Sequence, residues 1–186
     1  KEGQLPEKPQ NASRPFSVNR RGFVVSEGAA CIILASEDFV RAHGLEAKIM
    51  LAGSAMTSDA NHFVAPNLAT VQKCIELSIA SAGLEPRDID AINAHATSTR
   101  IGDKVEADAL VNVFGRKIPP VSANKSQLGH AMGASSAIET ILAMEGMLSD
   151  TVLPTINYDP DPAIVLDCVP EGARTLVQEH VLKNSF

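Results

Sequence analysis

Two patterns of hydrophobic residues alternate along the chain, and they predict strands and helices in turn. Short apolar runs bounded by Gly, Pro, Asn or Ser predict extended segments, whereas apolar residues three or four positions apart predict helices. The predicted strands are 22–35 (a strand pair turning at 26–28, or one broken strand), 47–58, 89–94, 119–124 and 179–186, with short extended pieces at 151–160 and 163–170. The predicted helices are 36–44, 68–83, 103–115 and 130–150, and a loop is predicted at 59–67.

This order of elements predicts an α/β fold, because strands that alternate with helices build a three-layer unit around a mixed β-sheet. Residues 1–15 are polar and contain proline, so they predict a surface segment or connection before a domain at 16–186. The helix at 130–150 is rich in Ala, Gly and Ser and is apolar nearly all round. Such a helix is expected to be buried between layers.

Composition narrows the class of protein. The chain has 186 residues, 45% of them apolar and 20% charged, which suits one globular domain, and its net charge of −6 argues against wrapping nucleic acid. No apolar run approaches the ~20 residues that span a bilayer, so no membrane association is expected. Cys31, Cys74 and Cys168 are widely spaced and odd in number. They predict reduced thiols in a cytoplasmic protein rather than disulfides or a zinc site.

Candidate catalytic residues follow two of the predicted strands along the chain. His95 follows the strand at 89–94, and His130 follows the strand at 119–124 after a polar stretch that contains Lys125. Ligands of open α/β sheets bind where strands end, although a histidine there can also be purely structural. Glu139 lies within an apolar helix, and a buried carboxylate needs a partner, so a pairing between Lys125 and Glu139 is predicted. The alternatives for Lys125 are a solvated loop charge or a pairing with Asp103 or Glu106.

Four segments, in this order, resemble the successive motifs of β-ketoacyl-acyl-carrier-protein synthases, the elongating condensing enzymes of the thiolase-like superfamily. The segments are "RPFSVNRRGFVVSEGAACIIL", "INAHATSTRIGDKVEADAL", "VSANKSQLGHAMGASSAIETI" and "HVLKNSF", and the similarity runs from about Asn11 to Phe186. The resemblance implies that the α/β unit is the C-terminal half of a thiolase-like five-layer fold. It further implies decarboxylative Claisen condensation of malonyl-acyl-carrier protein with a cysteine-bound acyl chain, in fatty acid or polyketide synthesis.

The resemblance also assigns roles to individual residues. His95 and His130 match the catalytic histidines that assist decarboxylation, and Lys125 matches the essential lysine that orders the site. Glu139 matches its acidic partner, and Asp103 and Glu106 match a supporting polar network. Thr97 and Thr99 match positions that bind the phosphopantetheine arm of acyl carrier protein, on which the substrate is carried, so no separate cofactor is expected.

Two further matches are positional. Asn93, Glu139 and Asn184 match residues that surround a monovalent cation in some members of the family. Lys183 stands where the family often has a small residue, and its ammonium would replace or repel that ion. Asn61 and His62 match a loop near the mouth of the substrate channel.

The chain departs from the family pattern at several positions. Ala96 replaces a usual glycine, Arg100 replaces a usual proline, and Ser17 and Arg21 replace usual acids. Basic surface for an acidic carrier protein is limited to scattered arginines such as Arg20 and Arg21, which are expected to be solvated.

The resemblance covers only the C-terminal half of a condensing enzyme. The nucleophilic cysteine belongs to the N-terminal half, and the glycine-rich turn with the gating phenylalanine lies beyond "NSF". The chain alone is therefore expected to be inactive and to pair with the N-terminal half, with acyl carrier protein as partner and a homodimer when complete. The alternative is a non-catalytic subunit of the chain-length-factor type, with a structural or interaction role.

Overall fold

The computed structural model describes residues 8–60, 62 and 65–186. Five α-helices lie at Glu37–Ala42 (α1), Leu68–Ser81 (α2), Arg100–Phe114 (α3), Lys125–Leu128 (α4) and Ser135–Leu148 (α5). Five short strands lie at Ala91–Asn93 (β1), Val121–Ser122 (β2), Thr151–Val152 (β3), Arg174–Thr175 (β4) and Val181–Lys183 (β5). Short 3₁₀ turns occur at Pro9–Asn11, Pro86–Asp88 and Met132–Ala134.

A three-stranded parallel sheet forms the centre of the domain, with strand order β2-β1-β5. Ile92 is the register partner of both Val121 and Leu182. β3 and β4 form a separate antiparallel pair. The predicted α/β class with parallel and antiparallel strands is therefore confirmed.

The central sheet is covered on both faces, which gives three layers. Ile92 and its two register partners point to one face and join a core with Ile75 of α2 and Leu110 of α3. Alternate residues of a strand point to opposite faces, so Asn93 and Lys183 point to the other face, towards α5. The carboxyl ends of β1, β2 and β5 open at one edge, and the candidate site lies at this edge.

The predicted helices are present with shifted ends. The helix predicted at 103–115 begins earlier, at Arg100, and the one predicted at 130–150 begins later, at Ser135. The later start arises because His130 is extended and forms a parallel bridge with Val25, after which Met132–Ala134 make a 3₁₀ turn. A short helix, α4, occupies the stretch around Lys125 that was expected to be a loop.

Two predicted strands, 22–35 and 47–58, are not strands. Their only bridge within the described residues is the single one between Val25 and His130. A strand exists by hydrogen bonding to a neighbour, and the described part of the chain offers these segments none. We call residues 27–52 the arm; none of the residues of α1 within it is buried. Its exposed apolar side chains include those of Ile33, Leu34, Phe39, Met50 and Leu51.

The arm and α5 together leave apolar surface uncovered. Only Ser135, Glu139 and Gly146 of α5 are buried, so the expectation that this helix is buried between layers is wrong for its outer face. The arm passes this helix at Gly28, where a β-carbon would lie 2.8 Å from Ile138 Cδ1. In the predicted surface segment, Ser13 is buried and donates to Lys125 O at 2.5 Å, so its end is packed on the domain.

No helix within the described residues is long and apolar enough to cross a membrane.

Candidate functional site

Two histidine rings meet at the carboxyl edge of the sheet. The ring centroids of His95 and His130 are 5.7 Å apart, with an angle of 87° between the ring planes. The ring centroid of Phe186 lies 4.4 Å from that of His95, and the ring centroid of Phe23 lies 5.6 Å from that of His130. The two imidazoles that the sequence places 35 positions apart therefore form one edge-to-face pair beside apolar rings.

Glu106 of α3 holds the chain directly after β1. One of its carboxylate oxygens accepts from the backbone N–H of His95 and the other from that of Ala96, both at 2.8 Å. Asn184 adds a third donor at 3.1 Å. Ala96 has a φ of 34°, in the region that favours glycine, so these bonds hold a strained turn. Glu106 thus stabilises the backbone of the histidine loop, and its supporting role in catalysis stays a prediction.

Asp103 makes the second anchor of this loop. It accepts from Thr99 N at 3.1 Å and from Phe16 N at 2.8 Å, which ties the loop to the N-terminal segment. Burial raises the pKa of Asp103 to about 7, and the donated N–H groups oppose that rise. Arg20 lies 3.9 Å away.

Arg20 corrects a prediction. It was expected to be a solvated surface charge, but it is buried and paired with Asp161 at 2.6 Å. Its guanidinium also donates to the carbonyl oxygens of Ser17, Thr99 and Arg100. Because its donors are used within the domain, Arg20 supports the histidine loop and offers no basic surface to a partner.

Lys125 lies behind His95, away from the cleft. Its Nζ donates to Glu139 at 2.6 Å and to the carbonyl oxygen of His95 at 2.7 Å. Both side chains of the ion pair are only 2% exposed. The predicted pairing of Lys125 with Glu139 is therefore present, and the alternatives of a solvated charge or of a pairing with Asp103 or Glu106 are wrong.

His130 is held by its backbone and by its ring. Its N–H donates to Val24 O at 2.7 Å, and its carbonyl accepts from Ser26 N at 3.0 Å. The ring Nδ1 lies 2.9 Å from Ser135 Oγ. With the serine hydroxyl as donor, the imidazole proton is assigned to Nε2.

Both imidazoles are held in the neutral form. Burial, together with the charges of Lys125 and Lys183, lowers the pKa of His95 to about 2. Burial and the charge of Lys125 also lower the pKa of His130, while Glu139 opposes this shift. Nδ1 of His95 is buried and lacks a hydrogen-bond partner among the described residues. Since orphaned buried N–H groups are rarer than orphaned acceptors, we assign the proton of His95 to Nε2 as well.

An open cleft of about 730 Å³ runs from the histidine pair to the N-terminal part of α2. Thr97 and Thr99 line it, with their hydroxyl oxygens 3.1 Å apart. His62 also lines it, as predicted for the channel mouth, whereas Asn61 lies outside the described residues. The cleft therefore brings hydroxyl groups and imidazoles to a single wall.

The three cysteines differ in environment. Cys31 is exposed on the arm, and Cys168 is buried, with burial raising its pKa to about 12. Cys74 of α2 lines the cleft, a placement that the sequence did not indicate, and its Sγ lies 3.4 Å from Ala55 O. None of the three lies at a strand-to-helix turn.

The residues expected around a monovalent cation do not converge as a set of side chains. Asn93 and Glu139 share the face of the sheet covered by α5, but the side chain of Asn184 bonds Glu106 on the α3 face. Nζ of Lys183 lies 3.0 Å from Oε2 of Glu139, so an ammonium already contacts the carboxylate that an ion would use. Burial lowers the pKa of Lys183, and the charge of Glu139 opposes that shift. Among the described residues, no group of three or more His, Cys, Asp or Glu could hold a metal ion.

Sequence reasoning missed two supporting residues. Ser135 gave no signal, because it is one of several small residues at the start of α5. Arg20 gave none either, because its neighbour Arg21 has the same side chain and is exposed. Only their long-range contacts in the structure distinguish Ser135 and Arg20 from the similar residues beside them.

Gly129 sets the position of His130 and provides a test. Its φ is 70°, and a β-carbon there would lie 2.9 Å from Val24 O, the acceptor of the His130 N–H. Gly129→Ala is expected to lower the free energy of unfolding by about 1–3 kcal/mol, through strain in the left-handed region and this clash. The melting temperature of the chain measures the effect. Gly133→Ala is the matched control, since nothing lies within 4 Å of that site; equal melting temperatures for the two variants would contradict the prediction.

The chain matches the family described as beta-ketoacyl synthase, C-terminal domain, over residues 49–159. It is 40% identical over 181 residues to 3-oxoacyl-[acyl-carrier-protein] synthase 2 of Mycobacterium tuberculosis, covering 96% of this chain and 43% of that protein. It is 36% identical over 185 residues to the protein of the same name from Coxiella burnetii, covering 97% and 45%. The chain thus spans less than half of the length of these curated relatives.

Solved structures show the same similarity. A structure described as the ishigamide ketosynthase/chain length factor superposes with a TM-score of 0.91 at 36% identity, covering 98% of this chain and 45% of that one. Another is described as a type II PKS acyl-carrier protein in complex with its ketosynthase bound to the hexaketide. It superposes with a TM-score of 0.90 at 33% identity, covering 97% of this chain and 45% of that one.

Proposed function

The chain belongs to the β-ketoacyl synthase family, whose C-terminal domain it matches. From this premise we propose that the chain supplies the residues for decarboxylation in a 3-oxoacyl-acyl-carrier-protein synthase. The observation that carries the proposal is the pair of neutral imidazoles, His95 and His130, on one wall of an open cleft. Because each ring is assigned an Nε2–H, two donors are available for one substrate oxygen.

The proposed reaction begins with a malonyl thioester in the cleft. The bond between its carboxylate carbon and its α-carbon breaks, carbon dioxide leaves, and the electron pair moves onto the thioester as an enolate. The two imidazoles donate to the enolate oxygen as its charge develops. The α-carbon then attacks the acyl thioester of a cysteine, forming the new carbon–carbon bond and releasing the cysteine thiolate. Neutral donors suit this step, because they stabilise the enolate without first binding the malonyl carboxylate as an ion pair.

Three supporting groups fix where those donors point. Glu106 holds the backbone of His95, Lys125 holds its carbonyl, and Ser135 orients the ring of His130. All three supporting groups are themselves buried, so their geometry is set by packing. Such preorganised donors lose little energy to reorganisation during the reaction.

The hydroxyl groups of Thr97 and Thr99 are the proposed contact for the phosphopantetheine arm. They lie on the same wall as the histidines and offer hydrogen bonds with little bulk. The phosphopantetheine group would bring the malonyl group from an acyl carrier protein. One of the structural neighbours contains such a carrier protein. With Arg20 buried, the basic surface for that partner has to come from other residues.

A second candidate function is that of a chain-length-factor subunit, since one of the structural neighbours is described with that term. A subunit without catalytic work has no need of two neutral imidazoles on one cleft. We therefore favour the catalytic function, and release of carbon dioxide from malonyl-carrier protein by the assembled enzyme distinguishes the two.

The uncovered surface of the arm and α5 is the proposed seat of the N-terminal half. Ile33, Leu34, Met50 and Leu51 of the arm are at least 67% exposed, in segments that pair with no strand among the described residues. Exposed apolar patches of this kind mark interfaces, and an unpaired extended backbone pairs with another strand. We place the completed enzyme, as a homodimer, in the cytoplasm, where its cysteines stay free.

This assembly gives a direct test. The chain alone is expected to form no ketoacyl product from acyl- and malonyl-carrier protein, since none of its cysteines is placed as an activated nucleophile. Addition of the N-terminal half, expressed separately, is expected to restore product, as measured by mass spectrometry. Product from the chain alone would contradict the proposal.

The control for this test is a variant of the surface itself. Met50→Asp in the exposed arm is expected to prevent restoration by charging the interface, whereas Glu46→Asp keeps the charge of an exposed arm residue and is expected to have no effect. Equal restoration by both variants would place the interface elsewhere.

A further inference from the structure

The ammonium of Lys183 has an all-oxygen environment. Its Nζ lies 3.0 Å from Glu139 Oε2 and 3.0 Å from Ser185 Oγ, and it donates to the backbone carbonyl of Asn184. These three oxygens come from a carboxylate, a hydroxyl and a carbonyl. Oxygen donors of these kinds are the ligands that hard cations prefer.

A further oxygen points to the same face of the sheet. Asn93 is the register partner of Lys183 in the parallel pair β1–β5, so both side chains face α5. Asn93 Oδ1 is buried and accepts no hydrogen bond from any described residue. A buried acceptor without a donor is unfavourable unless a positive charge lies near it. The ammonium of Lys183 is the charge that this strand presents on that face.

Two ammonium groups contact the carboxylate of Glu139. Lys125 contacts Oε1 at 2.6 Å and Lys183 contacts Oε2 at 3.0 Å, so each carboxylate oxygen has its own ammonium. Lys125 alone would neutralise the carboxylate. The second ammonium adds one positive charge beside a buried carboxylate, as a bound monovalent ion would.

We propose that Lys183 is a positioning residue whose ammonium takes the place of a bound monovalent cation beside Glu139. The cation is thereby covalently part of β5 and is present at any ionic composition. The ammonium of Lys183 holds the carboxylate of Glu139, which anchors Lys125. Lys125 in turn holds the carbonyl of His95. Stability of the chain should then be independent of the identity of the cation in solution.

The test uses thermal unfolding of this chain in KCl, in NaCl and in N-methylglucamine chloride at equal ionic strength. The wild-type chain is expected to melt at the same temperature in all three salts. Lys183→Ser removes the ammonium and leaves the oxygens, so it is expected to melt lower in N-methylglucamine and to recover in K⁺ or Na⁺. At an ion concentration about ten times the dissociation constant, linkage predicts a recovery of roughly 3–6 °C for a chain of this size.

Lys183→Met is the matched control. Methionine fills the space of the lysine stem without its charge, so this variant is expected to melt lower in every salt, with no recovery in K⁺ or Na⁺. Lys104→Ser, which removes a half-exposed lysine of α3, controls for the general loss of one positive charge and is expected to show no dependence on the salt.

Three other outcomes would overturn the proposal. A wild-type chain stabilised by K⁺ or Na⁺ over N-methylglucamine would show that an ion binds despite the lysine. A Lys183→Ser chain without any response to the cation would show that the oxygens do not form a cation site. If Lys183→Ser is unfolded in N-methylglucamine, folding on titration with K⁺ or Na⁺ supports the proposal, and failure to fold with either ion overturns it. Broadening of the sodium NMR signal by Lys183→Ser, but not by the wild-type chain, is the independent readout of binding.

Discussion

Alanine at His95 or at His130 is expected to lower the rate of malonyl decarboxylation by about 10²–10³-fold in the assembled enzyme that we propose, since each change removes one proposed donor to the developing enolate. The loss corresponds to roughly 2.7–4 kcal/mol of transition-state stabilisation. Acylation of the cysteine is expected to change little, because in the proposed mechanism the histidines act on the malonyl substrate. Release of carbon dioxide measures decarboxylation, and the mass of the acyl-enzyme measures acylation of the cysteine.

Two controls sharpen this prediction. His180→Ala removes a half-buried imidazole that does not line the cleft, and it should leave both steps unchanged. The pH profile of decarboxylation is the second control. A lowered pKa keeps an imidazole neutral until the pH falls below its ordinary value, so no loss of rate is expected near pH 6.5. A full rate in either cleft variant, or an acid limb centred at the ordinary histidine value, would contradict the role of neutral donors.

Removal of Lys125 is expected to lower both stability and activity. Lys125→Ala takes the ammonium from Oε1 of Glu139 and the donor from the carbonyl of His95. Breaking a buried ion pair from one side costs about 3–5 kcal/mol, and the remaining contact of Glu139 with Lys183 should keep the loss near the lower end. Thermal unfolding of the chain measures it, at roughly 2–4 °C per kcal/mol for this size.

The structure provides a matched pair for this test. Lys104 and Asp108 also lie 2.6 Å apart, but their side chains are 39% and 40% exposed. Lys104→Ala is expected to cost about 0.5 kcal/mol or less, because exposed pairs are screened by water. Glu139→Gln combined with Lys125→Ala is expected to recover no stability, because Glu139 still pairs with Lys183 in the single variant and that ammonium would lose its carboxylate in the double variant. Equal melting temperatures for Lys125→Ala and Lys104→Ala would show that burial of the first pair does not matter.

Local pattern and charge balance were enough to predict much of the site. The helices at 68–83 and 103–115 have apolar faces that the sequence displays directly, and each packs on the sheet as that face requires. The pairing of Lys125 with Glu139 followed from one argument, that a carboxylate inside an apolar helix needs a partner. Physical rules that act over a few residues, or on one buried charge, can therefore be applied to a sequence without a structure.

Other features depend on contacts that no local pattern contains. The segments 22–35 and 47–58 have the composition of strands, but a strand also needs a neighbour, and none is available among the described residues. Arg20 and Arg21 are adjacent and identical, yet only Arg20 reaches Asp161, which lies 141 positions away. The register that places Lys183 beside Asn93 is likewise a property of the sheet as a whole.

The bridge between Val25 and His130 would link the proposed assembly to the proposed catalysis. His130 donates to Val24 and accepts from Ser26, so the backbone of a proposed catalytic residue is bonded to the root of the arm. A protein that docks on the arm and restrains this root also restrains His130, and the two binding events then share one conformational equilibrium. Thermodynamic reciprocity requires the converse: a ligand that orders His130 in the cleft must tighten docking on the arm by the same factor. In the proposed assembly, these two backbone hydrogen bonds would couple occupancy of the cleft to association of the two halves.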